Sequence, residues 1–351
     1  MNTYPTHLQA TALPQGSLMS IDQMTAVENL MQLGFTVREA DFLYLVGTNC
    51  GVFTTEHYRL VTGIAARGRV QQDLIRKLDA HHFITRIAIT QQHQIIHLRH
   101  KAFYRAILAE DSRLRRGMSP GLIRQRLQYM DYLARNPQLR YITTEGDRHR
   151  IFTSDFAIAE ELIPQRIYRS KANPNDATIR LFPERFPIFV GEQDGISSLG
   201  VVYGEDPADR FRAFRRFILA HEELFGAFAN LRFVYVSPSQ ARATLASTHL
   251  RARFGGTHSV QSDDLQRYFS LRLKLDHRQE NTFTDDDYAF WTRAHRAYKT
   301  PSYEPLYAEF LGQNSLPSAS LVAPRQAFQF THFVPSTDLR ERLESGTLTR
   351  V

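Results

Sequence analysis

Along residues 21–98 the spacing of apolar positions changes once, from helical to alternating. Residues 21–33 (IDQMTAVENLMQL) place apolar side chains near helical spacing, and Gly34 ends the run. A second helix is predicted over 37–46, with Ala40, Phe42, Leu43 and Val46 as its buried face; Gly47, Asn49 and Gly51 mark the turn after it. Phe53-Thr54-Thr55-Glu56 opens a short helix over 56–61, because a threonine cap and an acid in the first turn satisfy free N–H groups and the helix dipole. Gly63 closes it. The next helix is predicted over 67–80, with Val70, Leu74 and Leu78 as its apolar stripe. Residues 83–89 and 95–98 then read as two strands around the polar tip Thr90-Gln91-Gln92-His93-Gln94.

Beyond this hairpin, 101–109 reads as a helix, and SRLRRGMSPG sets Arg113, Arg115 and Arg116 in a flexible stretch. Pro120 sits where a helix starts, and LIRQRLQYMDYLARN follows with Leu122, Leu127, Met130 and Leu133 as its expected core face. Short strands are predicted at 141–144 and 150–153. In the second half, 165–169, 176–181, 186–190 and 198–203 read as strands, the second and third around a turn. Gly204-Glu205-Asp206-Pro207 opens an amphipathic helix over 208–228. LRFVYV (231–236) is a continuous apolar run of the parallel-strand type, and Ser237-Pro238-Ser239 caps a helix over 240–249. The expected division is a loose arm over 1–20, a first domain over 21–150, an α/β domain over 151–255, and a helical extension and tail over 256–351, of which 312–351 is poor in pattern.

Charge alters this picture in one place. The chain carries a net +7. Residues 1–150 hold 19 Lys and Arg against 12 Asp and Glu, whereas 151–351 hold 24 of each. Within 67–150 the count is 17 against 7, so the excess lies in and just after the helix predicted over 67–80. Only five of the 43 basic residues are lysine; arginine forks to phosphates and guanine edges better than lysine does, although a GC-rich genome gives the same ratio. No window approaches 18 apolar residues and the N-terminal stretch has neither a basic nor an apolar region, so no spanning helix and no signal peptide are expected. With a single cysteine, Cys50, this points to a reducing cytoplasm.

Three helices, the last of them basic, followed by a hairpin is the order of a winged helix-turn-helix. The residues placed to contact duplex DNA are Arg67, Arg69, Gln72, Arg76 and Lys77 on the last helix, His93 in the wing, and Arg113, Arg115 and Arg116 beyond it. The competing reading of each is a solvated face that touches nothing. His93, His97 and His100 approach metal-ligand spacing, but a hairpin would not make them converge, so no metal site is assigned. Asp285-Asp286-Asp287 reads as a helix N-terminal cluster, and Cys50 as a buried structural thiol.

Taken together, FTTEHYRLV, RVQQDLIRKLDAHHFI and IIHL in the first half, with FPIFV, SLGVVYGEDPADRFRAFRRFI and LRFVYVSPSQARATL in the second, resemble the replication-relaxation family of bacterial mobile elements over about residues 36–250. The resemblance implies a mixed α+β and α/β chain: an N-terminal winged helix-turn-helix, a restriction-endonuclease-like α/β domain and, outside the match, a helical C-terminal extension. A nuclease of that fold needs an acid on one strand and an acid-x-Lys arrangement on the next to hold Mg²⁺. Here Asp176 is the first candidate, but SLGVVY offers no acid or lysine before Glu205 and Asp206, and Arg180 and Arg185 are the nearest bases. The core is therefore read as degenerate, without a cofactor. The expected function is DNA binding for the replication, mobilisation or regulation of a mobile element such as a plasmid. The expected partners are double-stranded DNA, a protein of the mobilisation or replication machinery, or a second copy of the chain, and no membrane. Two alternatives are a Mg²⁺-dependent nuclease using Asp176, Glu205 and Asp206, and an interaction subunit whose winged module binds a protein.

Overall fold

The structure, a computed structural model, describes residues 21–64, 68–90, 93–169, 177–182, 186–193, 196–205, 211–228, 230–254, 262–299, 303–313, 327–336 and 349–350. It is mixed α and β and divides into two units, residues 1–140 with 337–351, and residues 141–336. The first boundary falls just ahead of the position expected from the sequence. The assignment of 337–351 to the first unit breaks the expected order, in which 256–351 formed one extension. Among the described residues no helix is long and apolar enough to cross a membrane.

In the first unit, α1 (Ile21–Gln32), α2 (Val37–Asn49), β1 (Val52–Phe53), α3 (Thr55–Thr62), α4 (Arg69–Ala80), β2 (Ile84–Thr90), β3 (His93–Leu98), α5 (Lys101–Ala106) and α6 (Pro120–Arg135) follow in order. Thr36 caps α2 reciprocally: its hydroxyl accepts from Glu39 N–H at 3.3 Å, and the Glu39 carboxylate accepts from Thr36 N–H at 2.7 Å. Gly63, at φ 67°, supplies the left-handed residue that lets α3 stop and α4 begin. The Phe42 ring meets Phe53 and Tyr58 edge-on at 5.1 and 4.9 Å, joining α2, β1 and α3, and Leu74 and Leu78 of α4 are buried as well. α6 belongs to this unit's interior as well. His57 of α3 accepts Thr54 N–H on Nδ1 at 3.0 Å, which leaves its Nε2 to face the buried Asp131 of α6 at 3.4 Å.

The sheet runs β1, β3, β2 and then Thr349–Arg350, all antiparallel. Thr90 pairs with His93 and Ala88 with Gln94, so three of the five residues read as the tip belong to the strands. Two buried faces also differ by one position. Val70 is 37% exposed and Gln71 is buried in its place, because the Gln71 side chain turns back to accept Gly68 N–H at 2.7 Å at the start of α4. Leu122 is exposed and Ile123 is buried.

β4 (Arg140–Tyr141) falls at the division, and the second unit continues with α7 (Glu145–Arg150), followed by a π turn over Ile151–Asp155. The strand expected at 150–153 is thus helical. Thr144 caps α7 by accepting from Asp147 N–H at 2.9 Å, and the buried Arg148 donates to the Ile142 and Phe186 carbonyls at 3.3 and 2.9 Å. Next come β5 (Gln165–Arg169), β6 (Ala177–Leu181), β7 (Ile188–Gln193), β8 (Ile196–Gly204), α8 (Arg212–Gly226), β9 (Asn230–Val236) and α9 (Gln240–Phe254). α10 (Ser262–Asp276), α11 (Asp285–Tyr298), α12 (Glu304–Gln313) and β10 (Ala327–Phe333) complete it. The main sheet has the order β10-β9-β8-β7-β4, with β7 antiparallel to β8, and β8 and β10 parallel to β9. β9 lies between two parallel neighbours and is apolar, which is why LRFVYV is continuous. β10 arises from the stretch that is poor in pattern. β6 does not adjoin β7; it pairs only with β5 in a separate two-stranded ribbon. The Phe189 ring of β7 fills the space over Gly200 of β8, 2.1 Å from where a side chain would begin. α10, α11 and α12 hold their own apolar cluster, including Leu265, Phe269, Phe290 and Phe310. Thr284 caps α11, and Asp286 and Asp287 receive Arg267, as a helix N-terminal cluster should.

Candidate functional site

α4 presents its cations unequally. Gln71, Leu74 and Leu78 face inward, which turns Arg69, Gln72, Asp73 and Arg76 to solvent. Arg69 and Arg76 have 90% and 72% of their side chains exposed, and both flank Asp73, which pairs with Arg76 and lies 4.0 Å from Arg69. Such exposed pairs contribute little and are readily exchanged for another anion. Beside this face lies an open depression of about 470 Å³, lined by Arg38, Glu39, Tyr58, Arg69, Asp73, Arg76 and Lys77. Burial and the Glu39 charge hold the Tyr58 hydroxyl above its ordinary value. The wall carries four cations against two carboxylates.

Lys77 has a different task from its neighbours. Its Nζ donates to Glu39 Oε2 at 2.7 Å and sits 5.9 Å from the Phe35 ring centre. Since that carboxylate is also the cap of α2 and is 5% exposed, Lys77 binds α4 to α2. Arg86 of β2 pairs with Asp79 of α4 and donates to Gln94 at 3.4 Å, so it fastens the hairpin to the same helix. Sequence reasoning misses Arg38 and Arg86; Arg38 is legible as the exposed neighbour of the capping Glu39.

Arg113 and Arg115 lie in a 3-10 turn that ends at Arg116. Leu114 is buried as its anchor, and its carbonyl is held by His97 Nε2 at 2.8 Å. Arg113 and Arg116 are exposed, whereas Arg115 is half-buried. The stretch is therefore a docked turn. His97 is committed to this turn and His100 caps α5. Arg67, Asp176 and Asp206 lie outside the described residues, and of His93 only the backbone, opening β3, is described. Burial pushes the Cys50 thiol up to about 12, which leaves it inert.

In the second unit Glu205 stands at the end of β8 and is buried. Its carboxylate accepts from Ser237 Oγ at 2.5 Å and from Arg242 Nη1 at 2.5 Å. Ser237 N–H donates to the Phe333 carbonyl at 3.1 Å, and His332 Nε2 is 2.8 Å from the Ser237 carbonyl. Glu205 and Ser237 together tie the ends of β8, β9 and β10 to the start of α9. His221 is buried among Phe186, Phe217 and Phe225, with Nδ1 bonded to the Phe217 carbonyl at 2.9 Å. Burial, aided by the Arg148 charge, lowers its pKa to about 4.

Comparison with models of known protein families, with curated proteins and with solved structures finds no match to this chain.

Proposed function

We propose that the chain is a duplex-DNA-binding protein that docks through α4. In this reading α2, α3, α4 and the β2–β3 hairpin form a winged helix-turn-helix, and the second unit is a nuclease-like core without catalytic activity. The observation that carries it is the solvent face of α4: Arg69, Gln72 and Arg76 stand together at helical spacing, exposed, with only Asp73 between them. A helix of this kind fits the major groove, where arginine and glutamine reach phosphates and base edges. The basic excess of 67–150 supports it. The engagement of Glu205 by Ser237 and Arg242 supports the inactive core. The resemblance to the replication-relaxation family makes a mobile element the expected setting, with cytoplasmic location and action in replication, mobilisation or their regulation.

The test is a mobility-shift or anisotropy titration on duplex DNA across a salt series. Arg69→Gln with Arg76→Gln should weaken binding and reduce the slope of log K against log[salt] by roughly 0.9 for each phosphate no longer neutralised. Absence of salt-sensitive binding by the unaltered protein would sink the proposal. Cleavage of plasmid in Mg²⁺ that Asp176→Ala abolishes would overturn the inactive reading.

A further inference from the structure

The β5–β6 ribbon carries features that a structural hairpin does not need. Five residue pairs join Gln165–Arg169 to Ala177–Leu181, and among the described residues neither strand joins another sheet. A lone two-stranded ribbon is marginal in water, and this one is fastened at one end. There Phe182 N–H donates to the Pro164 carbonyl at 2.8 Å, Leu181 N–H donates to Glu145 at 2.7 Å, and the buried Phe182 ring packs on Phe152 at 5.3 Å. Beyond that root, Ile167 and Ile179 stand directly opposite each other and are 54% and 56% exposed. Facing β-branched pairs of this kind normally serve a core. The ten strand residues include three arginines, Arg166, Arg169 and Arg180, and no acid. Arg166 and Arg180 occupy opposed register positions. Arg166 and Arg169 are exposed, with no ion-pair partner among the described residues.

We infer that this ribbon is a second DNA-contacting arm that enters a groove of the duplex. Arg169, on the same face as the Ile167–Ile179 pair, and Arg166, reaching round from the other face, would meet phosphates along the groove, and the isoleucine pair would lie against base edges. Three features argue for this occupant. The major groove, about 12 Å wide, admits a two-stranded ribbon. A polyanion complements a strand pair with arginines and no acids. Apolar side chains find thymine methyls or unstacked base steps in the grooves. The arm shares its ligand with the reading above, but it stands on residues of the second unit alone.

The experiment is fluorescence anisotropy of a labelled 30-base-pair duplex with the full chain over a KCl series. It compares Arg166→Gln/Arg169→Gln, Ile167→Thr/Ile179→Thr and Arg69→Gln/Arg76→Gln with the unaltered protein. Threonine and glutamine keep the strands viable at exposed positions, and thermal unfolding checks this. The arginine pair should lower the salt slope by roughly 1.8, two phosphates at 0.9 each. The isoleucine pair should weaken binding several-fold with the slope unchanged. If the α4 variant alone loses binding, the arm is overturned and the proposed function stands. If the ribbon variants alone lose it, the arm stands and docking through α4 fails. If the unaltered protein shows no salt-sensitive binding, both fall. Loss of a dimer in sedimentation by the isoleucine variant, with DNA binding unchanged, would also overturn the arm by making the ribbon a protein interface.

Discussion

The outer face of α4 and the carboxyl edge of the main sheet both gather charged side chains, yet they use them in opposite ways. Arg69 and Arg76 keep most of their surface in water and share one exposed carboxylate. Glu205 is buried, and its two oxygens are occupied by a hydroxyl and a guanidinium. Lys77 shows that the division does not follow residue type or even the element: on the same helix as Arg69 and Arg76, it is drawn into the cap of α2. A charge already satisfied inside the fold has little left to offer a ligand, whereas a weakly paired exposed one can change partners without loss of stability. Sequence composition counts all of these as equal; burial and partnership separate them.

Breaking the buried side of this comparison should have the largest effect. Glu205→Ala removes the buried carboxylate that Arg242 and Ser237 share and should lower stability by about 3 kcal/mol in urea unfolding, moderated by the partial exposure of Arg242; a change under about 0.5 kcal/mol would mean the cluster is not structural. The next effect comes from pH. The His221 pKa lies at about 4, below its ordinary 6.5, so the unfolded chain binds the proton more readily. Stability present above pH 6.5 is lost as pH falls through 4, by roughly 3 kcal/mol. His221→Leu should flatten that acid limb in a series of unfolding curves. Lys77→Met, which strands a buried carboxylate that still accepts Thr36 N–H, should cost about 1–2 kcal/mol. Arg69→Gln with Arg76→Gln should change stability by less than about 0.5 kcal/mol while lowering DNA affinity. A stability loss as large as that of Lys77→Met would erase the contrast between the two kinds of charge.

The local devices of the first unit are legible because they are written in adjacent residues. The opening at Thr54 and the closing Gly63 mark α3 and the start of α4 within a residue or two, whereas α2 runs on through Gly47 and Asn49, which read as its turn. Pattern reading fails where a distant or unusual partner decides. Gln71 displaces Val70 from the buried stripe because it serves the helix start. Residues 150–153 look strand-like, but α7 and its π turn are held by Arg148, whose acceptors Ile142 and Phe186 lie on either side of it in sequence. β6 reads as a neighbour of β7, whereas its register partner is β5. β10 is invisible because its reason is β9, about a hundred residues earlier, and parallel pairing leaves no local turn to signal it. Of the candidate site, the basic face of α4 is legible from spacing. The commitments of Lys77, His97 and Glu205 are not, because each depends on a partner that the one-dimensional pattern does not contain.

The pairing of Thr349 and Arg350 with Ala88 and Ile87 has a consequence for synthesis. The β2 edge is complete only after residues 141–336 have been made, and at 5–20 residues per second that interval is roughly 10–40 s. Throughout it the nascent first unit shows an unpaired strand edge, the feature by which sheets recruit unrelated chains. The exposed edge should make ribosome-bound or truncated forms more prone to aggregation than the full chain, and more dependent on chaperones than the stability of the finished fold would suggest.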